Sequence, residues 1–166
     1  GVNFTVYDTA NGMLSQNITD LIIDDLDQKW IGTGGGVSIL NADNTAIHHH
    51  TQMYLLPPPD TLNPVVNMVF DSYQRIWLTI YIGYLSVGGV AFWAGNQWLD
   101  FDVSDGIVGP NVRELAIDNN NNVWVATSTG VSRISSVPNF VIDMKIEDKV
   151  YLYPNPVSDN LNIYSV

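Results

Sequence analysis

An all-β fold of stacked four-stranded sheets is predicted by three observations. One segment repeats at a fixed interval, its apolar runs are short and separated by turn residues, and no helical period is sustained. Trp30, Trp77 and Trp124 are each 47 residues from the next, and each lies six residues after an aspartate: Asp24, Asp71 or Asp118. Upstream, Ile18, Val65 and Val112 fall in register, as do the triplets Leu21-Ile22-Ile23, Met68-Val69-Phe70 and Leu115-Ala116-Ile117. Downstream, Ile31-Gly32-Thr33 corresponds to Leu78-Thr79-Ile80 and to Val125-Ala126-Thr127. Gly36-Val37-Ser38-Ile39 corresponds to Gly130-Val131-Ser132-Arg133 two periods later. A period of this length marks modular units that stack to share a core, because one unit alone cannot bury its apolar faces.

Within each unit the elements follow one order. In the last unit a first run, Val112 to Ile117, ends at the polar stretch Asp118-Asn119-Asn120-Asn121-Asn122. A second run, Val123 to Thr127, and a third, Gly130 to Ile134, follow. Runs this short, punctuated by Asp, Asn and Gly, read as strands joined by hairpins. Asn and Asp suit such turns because they tolerate left-handed backbone and hydrogen-bond their own main chain. A fourth, weaker run closes the unit: Ala46 to Met53 in the first and Gln97 to Phe101 in the second.

The first run of each unit is nearly continuous in its apolarity, which predicts a strand covered on both faces. A four-stranded sheet with covered inner strands and a more polar outer strand describes a propeller blade, its Trp packed between neighbouring sheets. The expected organisation is blades over residues 1–137, in units of about 7–53, 54–100 and 101–137. Residues 138–149 are expected to form a linker or a last outer strand, and 150–166 a separate segment. A β-trefoil, also built from three four-stranded repeats, is the alternative fold.

Three blades do not close a propeller, which has four to eight. The chain also starts in mid-unit, since Phe4-Thr5-Val6-Tyr7 corresponds to the outer run Trp98-Leu99-Asp100-Phe101. The expectation is either the end of a longer propeller or two copies joined as a homodimer, each lending its orphan strand to the other.

The formal charge of -11 repels phosphate backbones and anionic lipid surfaces, which argues against a nucleic-acid partner. The acidic residues are scattered or sit in turns, so their expected role is solubility. There is no cysteine, hence no disulfide framework, and no apolar run is long enough to insert in a membrane. The absence of a leader before Gly1 is not read as a cytoplasmic address.

The second unit differs from the others. Gly89-Val90 lies 53 residues after Gly36-Val37 instead of 47, and the extra material falls within the apolar and aromatic stretch Ile80 to Gly88. It reads as an inserted loop. Repeat-specific insertions map to loops on one face, often the binding face. Tyr81 and Tyr84 are therefore the candidate ligand-binding residues, with Asn17 and Asn111 on corresponding loops. The competing reading is that the two tyrosines cover an apolar edge.

Asp24, Asp71 and Asp118, like Trp30, Trp77 and Trp124, recur in every unit, and recurrence points to a structural role as turn-formers at the first hairpin rather than to catalysis. The loops Asp24-Asp25-Leu26-Asp27 and Asp118 to Asn122 offer oxygen ligands of the kind calcium takes, without the spacing of a dedicated calcium loop. His48 and His50 would share a face of a strand, about 6–7 Å apart, but lack further ligands, so His48, His49 and His50 are expected as solvated surface residues. No nucleophile elbow, P-loop or zinc helix occurs. No catalytic residue, metal site or cofactor is assigned.

The pattern Asp-x5-Trp-[Ile/Val]-[Gly/Ala]-Thr followed by Gly-Val resembles the two-component-regulator propeller repeat. That family precedes it with an aromatic and then Gly-Leu-x-x-Asn-x-Val. The third unit answers with Phe101-Asp102 and Gly106-Ile107-Val108-Gly109-Pro110-Asn111-Val112, the first with Tyr7-Asp8 and Gly12-Met13-Leu14-Ser15-Gln16-Asn17-Ile18. The second departs: Thr79-Ile80 replaces Gly-Thr, and Pro57-Pro58-Pro59-Asp60 stands where the turn would be. The resemblance covers about residues 7–135. It implies a binding role and brings no catalytic residues with it.

Tyr151-Leu152-Tyr153-Pro154-Asn155-Pro156, with the alternating Leu161-Asn162-Ile163 after it, resembles the opening of a type IX secretion C-terminal sorting domain. That resemblance implies a parent protein secreted from, or held on the outer-membrane surface of, a Gram-negative bacterium, with the type IX machinery as a partner. The expected function is thus a non-catalytic binding or scaffolding segment that recognises an extracellular protein or glycan through loops on one face. The alternatives are part of a propeller hydrolase or lyase, or a trefoil carbohydrate-binding module.

Overall fold

The computed structural model describes residues 1–56 and 62–135 in full, and residues 151–153 and 162–164 as backbone. The chain divides into two compact units, Gly1–Ser136 and Val137–Val166.

The first unit contains three antiparallel sheets. One runs β1 (Ile18–Ile23), β2 (Lys29–Thr33), β3 (Gly36–Leu40) and β4 (Ile47–His50). The next runs β5 (Val65–Phe70), β6 (Ile76–Ile82), β7 (Val87–Trp93) and β8 (Trp98–Phe101). The third holds β9 (Val112–Ile117), β10 (Val123–Thr127) and β11 (Gly130–Ile134). Each sheet is ordered as it occurs in the chain, and no strand of one sheet pairs with a strand of another. A trefoil would pair strands between repeats, so the trefoil alternative is set aside. The sheets are propeller blades. A fourth strand of the last blade would fall in 138–149, outside the described residues.

The repeat is reproduced at the level of single backbone angles. Asp27, Gln74 and Asn121 hold the same left-handed turn position, with φ of 59°, 59° and 60°. In each turn the preceding aspartate Oδ1 accepts two main-chain amides, those of Leu26 and Gln28, of Tyr73 and Arg75, and of Asn120 and Asn122. The carboxylate takes over bonds that a sharp turn denies to its own backbone.

The core sits in the middle blade, where Trp77, Leu78, Ile80 and Val90 are fully buried. Trp30 belongs to the same apolar cluster as Val65, Met68 and Ile76 of the next blade. Packing between sheets thus holds for Trp30; Trp77 is fully buried, with its ring stacked on Phe92 of its own blade. Trp124 is the exception and is largely exposed. Coverage on both faces likewise fails for β1, where Leu21 and Ile23 face outward although their counterparts Met68 and Phe70 do not. Continuous apolarity records what the repeat unit needs, and among the described residues no sheet lies on that side of the first blade.

Two further expectations change. The extra residues of the second unit form no loop: they lengthen the central hairpin, pairing Tyr81 with Gly88 and Ile82 with Val87 around the turn Gly83 to Ser86. Apolar residues on both arms allow two more ladder rungs, which satisfy main-chain groups that a loop would leave to water. Phe4 to Tyr7 forms no strand. It leads into a single 3-10 turn, Thr9–Asn11, capped by Asp8, and leaves Phe4 and Val6 exposed. A strand needs a partner edge, and none of the described residues supplies one here.

In the second unit, β12 (Tyr151–Tyr153) pairs antiparallel with β13 (Asn162–Tyr164). The Pro154 to Asn160 connection lies outside the described residues.

Candidate functional site

Strand direction gathers the candidate residues at one end of the sheets. β1 and β3 begin there and β2 and β4 end there, and the other blades repeat this sense. The β2–β3, β6–β7 and β10–β11 turns and the connections between blades all lie at this end. So do Asn17, Tyr81, Tyr84 and Asn111.

The four residues have different surroundings. Tyr84 stands on the tip of the lengthened hairpin, 70% exposed. Tyr81 is half-buried, and its ring lies against Gly88, where an added Cβ would meet Tyr81 Cδ2 at 3.0 Å. Asn17 and Asn111 do a backbone job, their carbonyls accepting the amides of Gly34 and Ser128 at 3.0 and 2.9 Å. Each ties the incoming connection to the central hairpin of its own blade. In the middle blade the carbonyl of Pro64 does the same for the Tyr81 amide at 3.4 Å. A main-chain carbonyl needs no particular side chain, which is why proline can stand in this position.

Beside the hairpin a cavity of about 320 Å³ opens between the middle and last blades, lined by Tyr54, Ser86, Val87, Gly88, Asp102 and Pro110 among others. Gly88 is required for this approach: a Cβ there would collide with the carbonyl oxygens of Ile80 and Pro110. Tyr54 packs its ring against Gly89 and donates its hydroxyl to Asp102 Oδ2 at 3.3 Å. Burial, followed by the negative charge of Asp102, pushes the Tyr54 phenol well above its usual range. The Ser104 hydroxyl, then its amide, holds the Asp102 carboxyl below the usual carboxylate range. Nearby Asp100 is raised by burial, although it accepts the Leu55 amide at 3.3 Å. The rim is therefore anionic, with a phenol held neutral beside a carboxylate held ionised.

A solved structure shares this fold. The extracellular domain of a protein described as a hybrid two-component system of B. thetaiotaomicron superposes with a TM-score of 0.62 at 16% identity, over 96% of this chain. A second B. thetaiotaomicron extracellular domain, of a one-component system, gives a TM-score of 0.42 at 14% identity over 76% of this chain. The chain spans 22% of each of those two proteins. The first likeness shows a shared fold. No protein-family model and no curated protein matches the chain.

Tyr54 and Asp102 were not singled out in sequence. Asp102 is visible there only as the residue after the repeat aromatic, and Tyr54 precedes a proline run that breaks the pattern. A third missed feature lies between the first two blades. His50 is not a solvated surface residue: its ring is stacked on Trp30, with centroids 6.1 Å apart, and lies 5.0 Å from Trp93. Its Nδ1 accepts the Trp98 indole N–H at 3.2 Å. His48 and His49 are exposed.

The acidic loops considered for calcium already use their oxygens. Asp24 Oδ2 accepts the Trp30 indole N–H at 2.9 Å, and Asp27 pairs with Lys29 at 3.0 Å. Asp118 Oδ2 accepts the Trp124 indole N–H and the Asn122 side-chain Nδ2–H. Among the described residues no three His, Asp or Glu side chains converge to hold a metal ion.

Proposed function

We propose that the blades form a non-catalytic binding segment of a secreted or surface-anchored bacterial protein, with the ligand taken at the hairpin end beside Tyr84. The observation that carries this is the exposed Tyr84 ring on a hairpin longer than its counterparts, next to a cavity whose lining includes a carboxylate and no basic side chain. An aromatic face with acceptor oxygens beside it suits a neutral glycan, whose C–H faces stack on rings and whose hydroxyls donate to carboxylates. An acidic ligand would be repelled by Asp102. A protein partner presenting hydroxyl or basic side chains is the second class. The extracellular placement of the structurally similar domain supports a location outside the cell. The Tyr-Pro-Asn-Pro segment supports reading residues 150–166 as the start of a type IX sorting domain.

The test is calorimetric titration with neutral and acidic oligosaccharides. Binding of a neutral oligosaccharide that Tyr84→Ala and Asp102→Asn each weaken at least tenfold, at unchanged melting temperature, supports the reading. Binding that neither substitution alters places the ligand elsewhere. Turnover of the sugar would overturn the non-catalytic assignment.

A further inference from the structure

The cavity beside the Tyr84 hairpin has apolar walls and a sparse polar lip. Three stretches of chain meet there: Tyr54 from the connection between the first two blades, Ser86 to Gly88 from the lengthened hairpin, and Asp102, Val103 and Pro110 from the connection to the last blade. Val87, Val103, Pro110 and the Tyr54 ring bring carbon to the lining, and Gly88 brings no side chain at all. Val103 is 51% exposed, so part of this apolar surface meets water.

Two side-chain polar positions stay open at the lip. Asp102, held ionised, offers about four acceptor positions. Its Oδ1 accepts the Ser104 amide and the Ser104 hydroxyl, each at 2.6 Å, and its Oδ2 accepts the Tyr54 hydroxyl at 3.3 Å. Among the described residues nothing fills the remaining position, which lies on Oδ2. The Tyr54 proton is spent on that bond, so the phenol has no donor left for a ligand. The Ser86 amide is tied to the Gly83 carbonyl at 3.2 Å, while the Ser86 hydroxyl has no partner among the described residues. One acceptor, one donor and an apolar wall are therefore what the cavity presents.

The substituents of a sugar differ in how they meet that set. A hydroxyl uses the acceptor and leaves the carbon wall to water. An ammonium brings three donors to one acceptor position and loses its hydration against carbon, a cost that one bond does not offset. An acetamido group uses all three features: its N–H donates to Asp102 Oδ2, its carbonyl oxygen accepts from the Ser86 hydroxyl, and its methyl covers the wall of Val87, Val103 and Pro110. We propose that the hairpin end recognises an N-acetylated amino sugar, with the acetamido group held in this cavity and a sugar ring of the same glycan stacked on Tyr84. The inference rests on the reading of this end as a neutral-glycan site and narrows it to one class of sugar.

The test uses β-1,4-linked tetrasaccharides of N-acetylglucosamine, glucosamine and glucose, which differ only in the group at C2. Calorimetric titration should show the acetylated oligomer binding about tenfold or more tighter than the other two, the discrimination that a filled apolar pocket and a hydrogen bond supply. The same comparison between N-acetylgalactosamine and galactose oligomers covers the other common epimer. Ser86→Gly removes the hydroxyl at a position whose φ of 54° glycine tolerates. It should weaken the acetylated oligomer about three- to tenfold and leave the weaker binding of its unacetylated counterpart unchanged. Val103→Thr, which puts a hydroxyl on the wall at nearly constant shape, should act the same way, and neither variant should change the melting temperature. Equal binding of acetylated and unacetylated oligomers in both series would overturn the acetamido assignment and leave the neutral-glycan reading standing. Tightest binding of the glucosamine oligomer would overturn it in favour of Asp102 acting as a bare charge. An N-acetylated peptide that binds where no saccharide does would give the cavity to a protein partner and overturn both.

Discussion

The indole Nε1 of Trp77 donates to Asp71 Oδ2 at 3.0 Å, and both side chains are buried. The same bond joins Trp30 to Asp24 and Trp124 to Asp118, at 2.9 Å each. It explains the six-residue spacing of the repeat. The aspartate closes the hairpin with one oxygen and holds the tryptophan with the other, so turn and core packing are set by one side chain. In the middle blade the carboxylate also receives Arg75 Nε at 2.6 Å, and the guanidinium lies 5.6 Å from the centre of the Phe92 ring.

Asp71→Ala should therefore be the most damaging of the three aspartate substitutions. It removes the carboxylate from a buried guanidinium, an indole N–H and two turn amides at once. A loss of about 3–5 kcal/mol is expected, the usual consequence of breaking a buried ion pair by removing one partner. Asp118→Ala, at an exposed position, should cost distinctly less. Urea unfolding with unchanged m-values checks the ranking, and equal midpoints for the two variants would contradict it.

Asn67 ties the last two blades together: its Oδ1 accepts the Leu115 amide at 2.8 Å, as Asp20 Oδ2 accepts the Met68 amide at 2.6 Å between the first two. Asn67→Ala should cost about 1–3 kcal/mol, because the Leu115 amide loses its acceptor at a covered junction. The diagnostic measurement is hydrogen exchange, in which the Leu115 amide should lose protection more than the amides of β10. Uniform loss across the last blade would mean that this bond acts only through global stability.

His50 makes stability depend on pH. Burial disfavours the imidazolium and lowers its pKa, and its Nδ1 can accept from Trp98 only when unprotonated. The unfolded chain, with an ordinary histidine pKa of about 6.5, therefore binds the proton more readily than the folded one. The stabilisation is complete above that value and is lost as pH falls through it towards the lower folded pKa, below which the loss levels off. The slope from this group is at most about 1.4 kcal/mol per pH unit. Melting temperatures of the parent chain and of His50→Phe between neutral and mildly acidic pH check this. The variant should show a shallower decline, and parallel curves would show that His50 does not titrate on unfolding.

The blade architecture was legible because a repeat states its own requirements several times over. Each strand run, each aspartate turn and each buried tryptophan was marked by identity or similarity at a fixed interval. The polar bonds between blades were hidden because Asp20 and Asn67, which make them, differ in type while sharing a position. The His50 cage was hidden for another reason. Trp93 and Trp98 come from the neighbouring blade, and no periodicity links them to a histidine in an outer strand. The lengthened hairpin was read as a loop because extra residues in one repeat carry no counterpart from which to infer pairing.

The order of strands in each blade, the turn chemistry and the partner of each indole follow from local spacing, since the groups concerned lie within a few residues of one another. Which flanks are covered, whether Trp124 is buried like Trp77, and how Tyr54 and Asp102 meet beside Gly88 were settled by stacking. These contacts join residues a whole period apart, and their strength depends on what stands next to a blade rather than on what the blade contains.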